Sequence, residues 1–158
     1  MVSKKIITRY IKLRSYFYAF FLRLTGVKIG KGFLIYGGWK IYNNQRLEIG
    51  ENVFINDNFW CNAKGNVTIQ DGVLIGPNVV IHSSNHNFAD QHKHIRKQGH
   101  TDKPVLIRSN VWLGAGVIIL PGVEICERVV VAAGSVVTKN IDVSGVYGGV
   151  PAKFIKNI

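Results

Sequence analysis

All five histidines of the chain fall between residues 82 and 100, in the run HSSNHNFADQHKHIRKQGH. An imidazole offers two chemistries. It can ligate a metal through a ring nitrogen, or it can move a proton near neutral pH, where an ordinary pKa of about 6.5 keeps much of it neutral. His82 and His86 stand four apart, and His92 and His94 two apart, spacings that chelate a cation on a rigid element. A site needs three or four ligands, however, and no cysteine or carboxylate stands at a completing spacing. No metal site is therefore expected. His86 differs from the rest because it ends a regular strand pattern within Ser-Ser-Asn-His, and it is the candidate general base. The other histidines read as solvated loop residues.

The elements that hold this run are set by a repeat. Aliphatic residues recur every six positions at Ile29, Ile35, Ile41, Ile49, Ile55, Ile69, Ile75 and Ile81, with Cys61 filling the one remaining slot. After a break the series resumes at Ile107, Leu113, Ile119, Ile125, Val131, Val137 and Val143. A helix turning every 3.6 residues would spread a strict period of six around its whole surface. Short strands joined by tight corners keep it on one side, with one inward aliphatic per strand and glycine or asparagine at the corners. Three hexads close a triangular coil, and coils stack through parallel ladders. The expectation is an all-β solenoid, a parallel β-helix of about five coils. Cys61, in an inward slot, reads as core and not as a nucleophile.

The step from Ile81 to Ile107 is 26 residues where one hexad is due, so about 20 residues are extruded as a loop over 82–106. The organisation expected is a basic, aromatic helical segment over 1–26, the β-helix over 27–145, and a tail over 146–158. Residues 3–24 suit a helix, with Ser3 as N-cap and Gly26 as the stop. Its apolar stripe would run through Ile6, Ile7, Tyr10, Ile11, Phe17, Phe20, Phe21 and Leu24. Two roles are open for it: a cap on the first coil, or an amphipathic helix on an anionic membrane surface.

The net charge of +11 is distributed unevenly. Residues 1–47 hold ten basic groups and no acid, while the remaining 111 hold ten basic and nine acidic groups. No reading element for nucleic acid accompanies the charge, so no nucleic-acid partner is expected. No apolar run reaches the ~18 residues of a membrane span, and no secretory leader pattern opens the chain. Two cysteines 65 positions apart make no disulfide framework. The expected location is the cytoplasm, or the inner membrane surface if the leading helix binds lipid.

The strings NVWLGAGVIILPGVEI (110–125), VVVAAGSVVTKNI (129–141) and GGVPAKFIKNI (148–158), with the hexads over 27–158, resemble the hexapeptide-repeat acyltransferases. The nearest resemblance is to the sugar O-acetyltransferases of the galactoside/maltose and exopolysaccharide (colanic-acid) types. The resemblance implies left-handed coils, a homotrimer with sites at subunit junctions, and acetyl-CoA as co-substrate. It implies His86 as the base that activates a sugar hydroxyl, and Asn56 as an acceptor-binding amide. It places Trp112, Gly114, Ala115 and Ala133 along the CoA groove, with Thr138, Lys139, Lys153 and Lys156 toward the adenine and phosphates. The string YFYAFFLRLTGVKIGKG resembles the N-terminal part of the exopolysaccharide type and does not resemble the acidic-residue-containing N-terminal domain of the galactoside/maltose type, whose N-terminal acceptor contacts are left without counterparts here. The implied activity is direct acetyl transfer to a sugar in bacterial surface polysaccharide biosynthesis. An N-acetyltransferase of an amino-sugar nucleotide is the alternative, and a non-catalytic solenoid scaffold the third.

Overall fold

The computed structural model describes residues 4–158, with side chains from residue 9 onward. Ser3 and the side chains of Ile6 and Ile7 lie outside the described residues. Helix α1 (Lys4–Leu24) leads into five complete coils. The first is β1 (Lys28–Ile29), β2 (Leu34–Ile35) and β3 (Lys40–Tyr42); the second is β4 (Leu47–Ile49), β5 (Phe54–Ile55) and β6 (Trp60–Asn62). The third is β7 (Val67–Ile69), β8 (Leu74–Ile75) and β9 (Val80–His82), followed by a hairpin arm, β10 (Ser84–His86) and β11 (His100–Asp102). The fourth is β12 (Val105–Ile107), β13 (Trp112–Leu113) and β14 (Ile118–Ile119), and the fifth β15 (Glu124–Ile125), β16 (Val129–Val131) and β17 (Val136–Val137). An incomplete sixth turn ends in β18 (Gly145–Gly148) and β19 (Lys153–Lys156).

Strands stack in parallel into three faces. Face A is β1-β4-β7-β12-β15, face B is β2-β5-β8-β13-β16-β18 closed by antiparallel β19, and face C is β3-β6-β9-β14-β17. Register follows the hexads, with Ile35, Ile55, Ile75, Leu113 and Val131 in one row of face B. That row and its two counterparts fill the prism with buried aliphatic side chains, each stabilising by about 1.5–3 kcal/mol. Cys61 is buried among them, as its slot predicts.

The corners explain the glycines and asparagines. At the A–B edge Gly32, Asn52, Gly72, Asn110 and Arg128 all have positive φ, and at the B–C edge Gly38, Asn58, Asn78, Gly116 and Gly134 do. Left-handed backbone suits glycine and asparagine but crowds other side chains. Close coil stacking adds a second demand. A β-carbon on Gly114 would lie 2.6 Å from the Ala133 amide nitrogen, and one on Gly76 would lie 2.8 Å from that of Ala115.

Two readings are corrected. Val143 is 63% exposed, and Ile141 occupies the inward position, bridged to Ile125. The preceding corner is two residues shorter because the Asn140 side-chain oxygen accepts the Glu124 N–H, a task otherwise given to backbone. The helix also packs through a different stripe from the one its large apolar residues suggest. Ser15, Ala19 and Leu22 are buried, with Tyr18 half-buried against Trp39, while Tyr10, Phe17, Phe20, Phe21 and Leu24 stay exposed. Small residues let the helix approach the first coil closely enough for Ser15 Oγ to serve its open edge. That hydroxyl donates to the Ile35 carbonyl (2.9 Å) and accepts the Ile35 N–H (3.0 Å). Gly26 stops the helix as expected, at φ +97°, with Val27 N–H returning to the Leu22 carbonyl.

Arg128 is the one residue at the A–B edge that is neither glycine nor asparagine, and its side chain is exposed. Arg128→Asn is expected to stabilise the fold by about 0.5–1 kcal/mol by relieving left-handed backbone strain. Chemical denaturation of the two proteins checks this.

Candidate active site

The extruded segment is an ordered arm. It leaves face C after β9, pairs β10 with β11 in antiparallel register (Ser84 with Asp102, Asn85 with Thr101, His86 with His100), and rejoins face A at β12. Its outer part is stitched by Gln98, whose side-chain nitrogen donates to the Asp90 and Lys93 carbonyls while its oxygen accepts the Asp90 N–H. Asn87 donates to the Gln98 carbonyl and accepts from the Thr101 hydroxyl. The arm therefore holds His86 on a hydrogen-bonded frame, at the C–A edge of the prism.

His86 is exposed and lines a cavity of about 340 Å³ with Asn85, Asn87, Phe88, Thr101, Lys103 and Pro121. Its ring lies against that of His100, centroids 4.1 Å apart and planes inclined by 40°. Sequence reasoning grouped His100 with the solvated histidines. The hairpin pairing of the two ends of the loop is the signal that would have singled it out. On the same arm Asp90 pairs with Lys93 (2.8 Å) and accepts the His92 N–H. The Lys93 contact and the His92 N–H hold its carboxyl below the usual range. Asp102, across the ladder from Ser84, is likewise held low by the Ser84 hydroxyl and by Lys64.

His82 is a different histidine chemically. It is half-buried and lies against the Trp60 ring, with centroids 4.4 Å apart. Burial disfavours its charged form and lowers its pKa below 6.5, an effect partly offset by the nearby Ser84 backbone. Among the described residues no group of three His, Cys, Asp or Glu side chains gathers to hold a metal. Burial pushes the Cys61 thiol up to about 12, which leaves no thiolate for nucleophilic work at neutral pH.

The remaining candidate residues fall in two groups. Thr138 and Lys139 follow β17 at the C–A edge, the edge that carries His86, two coils further along the stack. Asn56, Gly114, Ala115 and Ala133 lie in the turns between faces B and C, one edge away. Asn56 uses its side-chain oxygen to accept the Asp57 N–H (2.8 Å). Gly114 has a packing reason for being glycine, given above. Ala115 and Ala133 are exposed, and no hydrogen bond among the described residues engages either N–H. Trp112 projects from face B, 52% exposed, in a row with Leu74 and Val130. Lys153 and Lys156 are exposed on β19 at the end of that face. Within one chain none of these residues lines the cavity at His86.

The sequence profile of the bacterial transferase hexapeptide (six repeats) matches residues 104–139. An Escherichia coli (strain K12) protein named as a colanic acid biosynthesis acetyltransferase is 33% identical over 87% of this chain and 73% of its own length. The chain belongs to the hexapeptide-repeat acetyltransferases. The galactoside O-acetyltransferase of Escherichia coli (strain K12) is 41% identical, over 71% of this chain and 54% of that protein. The chain spans about half the length of that relative. A hexapeptide-repeat acetyltransferase of Vibrio cholerae O1 biovar eltor, solved with acetyl coenzyme A, superposes with a TM-score of 0.70. It shares 32% identity over 80% of this chain and 71% of its own. Family membership brings the left-handed winding of the β-helix with it, an exception to the usual right-handed crossover.

The lowered pKa of His82 has a consequence for stability. Between its folded value and 6.5 the unfolded chain binds a proton that the folded one does not, so stability is lost as pH falls below about 6.5. The melting temperature is expected to drop between about pH 7.5 and about pH 5, and His82→Phe, which keeps the ring on Trp60, is expected to drop less. Thermal melts of both proteins across that range test it.

Proposed function

We propose that this chain transfers an acetyl group from acetyl-CoA directly to a hydroxyl of a sugar in bacterial surface polysaccharide biosynthesis, as a homotrimer. The observation that carries the reading is His86, held on the hydrogen-bonded arm at the mouth of a cavity large enough for a sugar ring, in a chain of this family. Asn87, Thr101 and Lys103 give that cavity polar groups for hydroxyls, and Phe88 gives it an apolar wall.

The chemistry follows from one proton. A sugar hydroxyl has a pKa far above 7, so it attacks a thioester only if its proton leaves as the bond forms. Neutral His86 takes that proton while the hydroxyl oxygen bonds to the acetyl carbonyl carbon. The carbonyl electrons move onto oxygen, where a free backbone N–H such as that of Ala115 stabilises the developing charge. Collapse breaks the carbon–sulfur bond, and the imidazolium returns its proton to the departing thiolate. No acyl-enzyme is needed, in keeping with the buried Cys61. Lys139, Lys153 and Lys156 supply charge for the CoA phosphates, and the unengaged N–H groups of Ala115 and Ala133 suit the amides of the pantetheine arm.

The trimer is supported by the division of these residues between two edges. A three-fold arrangement sets the B–C edge of one chain, with Asn56 and the alanine strip, beside the C–A edge of the next, with His86. The outward row Leu74, Trp112 and Val130 offers apolar surface for such contacts. A polysaccharide acceptor is supported by the extent of the likeness. The colanic acid relative aligns with 87% of this chain, and the galactoside relative with 71%.

Release of free thiol from acetyl-CoA with a panel of nucleotide sugars and glycans tests the activity, and hydroxylamine lability of the product separates ester from amide. His86→Ala is expected to cut kcat by roughly 10²–10⁴ with an unchanged melting temperature. An unchanged kcat in the folded variant would sink the mechanism. Refolding His86→Ala chains together with Asn56→Ala chains is expected to restore part of the activity, since mixed trimers contain intact junctions. No recovery would mean that each site is built within one chain.

A further inference from the structure

Helix α1 has two working faces, and the first coil uses only one. Opposite the buried Ser15, Ala19 and Leu22, the residues Leu13, Phe17, Phe20 and Leu24 form a single stripe at helical spacing, 58–71% exposed. The stripe is preassembled: Phe21 packs edge-on against Phe17 (centroids 4.7 Å) and Phe20 (5.9 Å). We propose that α1 docks the protein on an anionic phospholipid leaflet, with this stripe set among the acyl chains and the flanking cations at the phosphates.

The flank carries the chemistry that selects this occupant. Arg9, Lys12 and Arg23 are exposed, and Lys12, Arg23 and Lys31 line a recess of about 440 Å³ between the helix and the first coil, walled by Tyr16 and Phe33. An apolar ridge beside a basic recess matches a phospholipid, which presents acyl chain and phosphate side by side. A second copy of the chain matches poorly. Packing two such helices brings Arg9, Lys12 and Arg23 of each against the other, and no carboxylate occurs before Glu48 to offset them. An anionic leaflet supplies the missing negative charge, and surface cations beside such a leaflet are attracted over about a Debye length. No helix among the described residues is long and apolar enough to cross a membrane, so the contact is with one leaflet.

Docking through this surface does not rest on the acyl-transfer reading, but it has a meaning for it. The His86 arm leaves the third coil, two coil steps from the coil that carries α1. At about 4.8 Å per step that is an axial rise of about 10 Å. Docking of this kind favours an acceptor sugar tethered to a lipid of the same leaflet.

Co-sedimentation of the full chain with vesicles decides the matter. Binding is expected to be roughly tenfold greater on phosphatidylcholine vesicles containing about one-third phosphatidylglycerol than on phosphatidylcholine alone, and to fall at about 0.5 M salt. The double variant Phe17→Ser/Phe20→Ser is expected to stay in the supernatant. Should it melt early, the exposed charge reversal Arg9→Glu/Lys12→Glu asks the same question without touching an apolar group. Both variants should keep the acetyl-CoA turnover of the parent on a soluble acceptor, so loss of vesicle binding and loss of catalysis are separate readouts. Equal sedimentation with both vesicle types overturns the proposal, as does full binding by both variants. It is also overturned if the parent ignores vesicles while the variants lose a higher assembly, the result expected of a self-association face.

Discussion

The spacing between one coil and the next governs this molecule. Parallel strands stack at about 4.8 Å, and everything lying between coils must fit that distance. Inside the prism the constraint selects aliphatic residues in register, three rows deep. At the edges it selects residues that tolerate left-handed backbone, and positions such as Gly76 and Gly114 where a β-carbon would meet the next coil's amide nitrogen. The neighbouring alanines at the rim, Ala115 and Ala133, are exposed and carry N–H groups that no hydrogen bond among the described residues engages.

A stack of coils has two open ends, and each is closed by a different device. At the start, α1 lies across the first coil and Ser15 meets both backbone groups of Ile35. At the finish, β19 turns back antiparallel on β18 and ends the parallel ladder of face B. Unpaired ladder edges recruit other chains, and both devices blunt that tendency. The helix achieves it with small residues on its inner face, which displaces its aromatic residues to the outside.

Much of this architecture was legible because a period of six is a geometric statement. It specifies which residue points inward, where corners fall and where a segment has been inserted, without knowledge of the neighbours. Legibility failed where a side chain replaced backbone. Asn140 bonding to Glu124 shortened one corner by two residues and moved the inward position from Val143 to Ile141. It failed again on α1, because hydrophobicity ranks Phe17 and Phe20 above Ser15 and Ala19, whereas close approach to a coil edge ranks them the other way. At the site, His86 was legible from its place at a strand end. The contact with His100 required knowing that residues fourteen apart pair across a hairpin. The division of Asn56 and His86 between two edges follows from counting hexads around the triangle.

The arm that carries His86 departs from the third coil and returns to the fourth, so its two ends are pinned by β9, held between β6 and β14, and by β12, held between β7 and β15. Closing a longer segment between such anchors costs little, about 0.6 kcal/mol for each doubling of length. The arm can therefore lengthen, shorten or change composition while the solenoid beneath it is untouched. Such an arrangement separates inheritance into two parts, a scaffold in which almost every position is constrained and an appendage whose length the fold leaves open. Descendants of one such chain can remodel the arm long before they change how they fold.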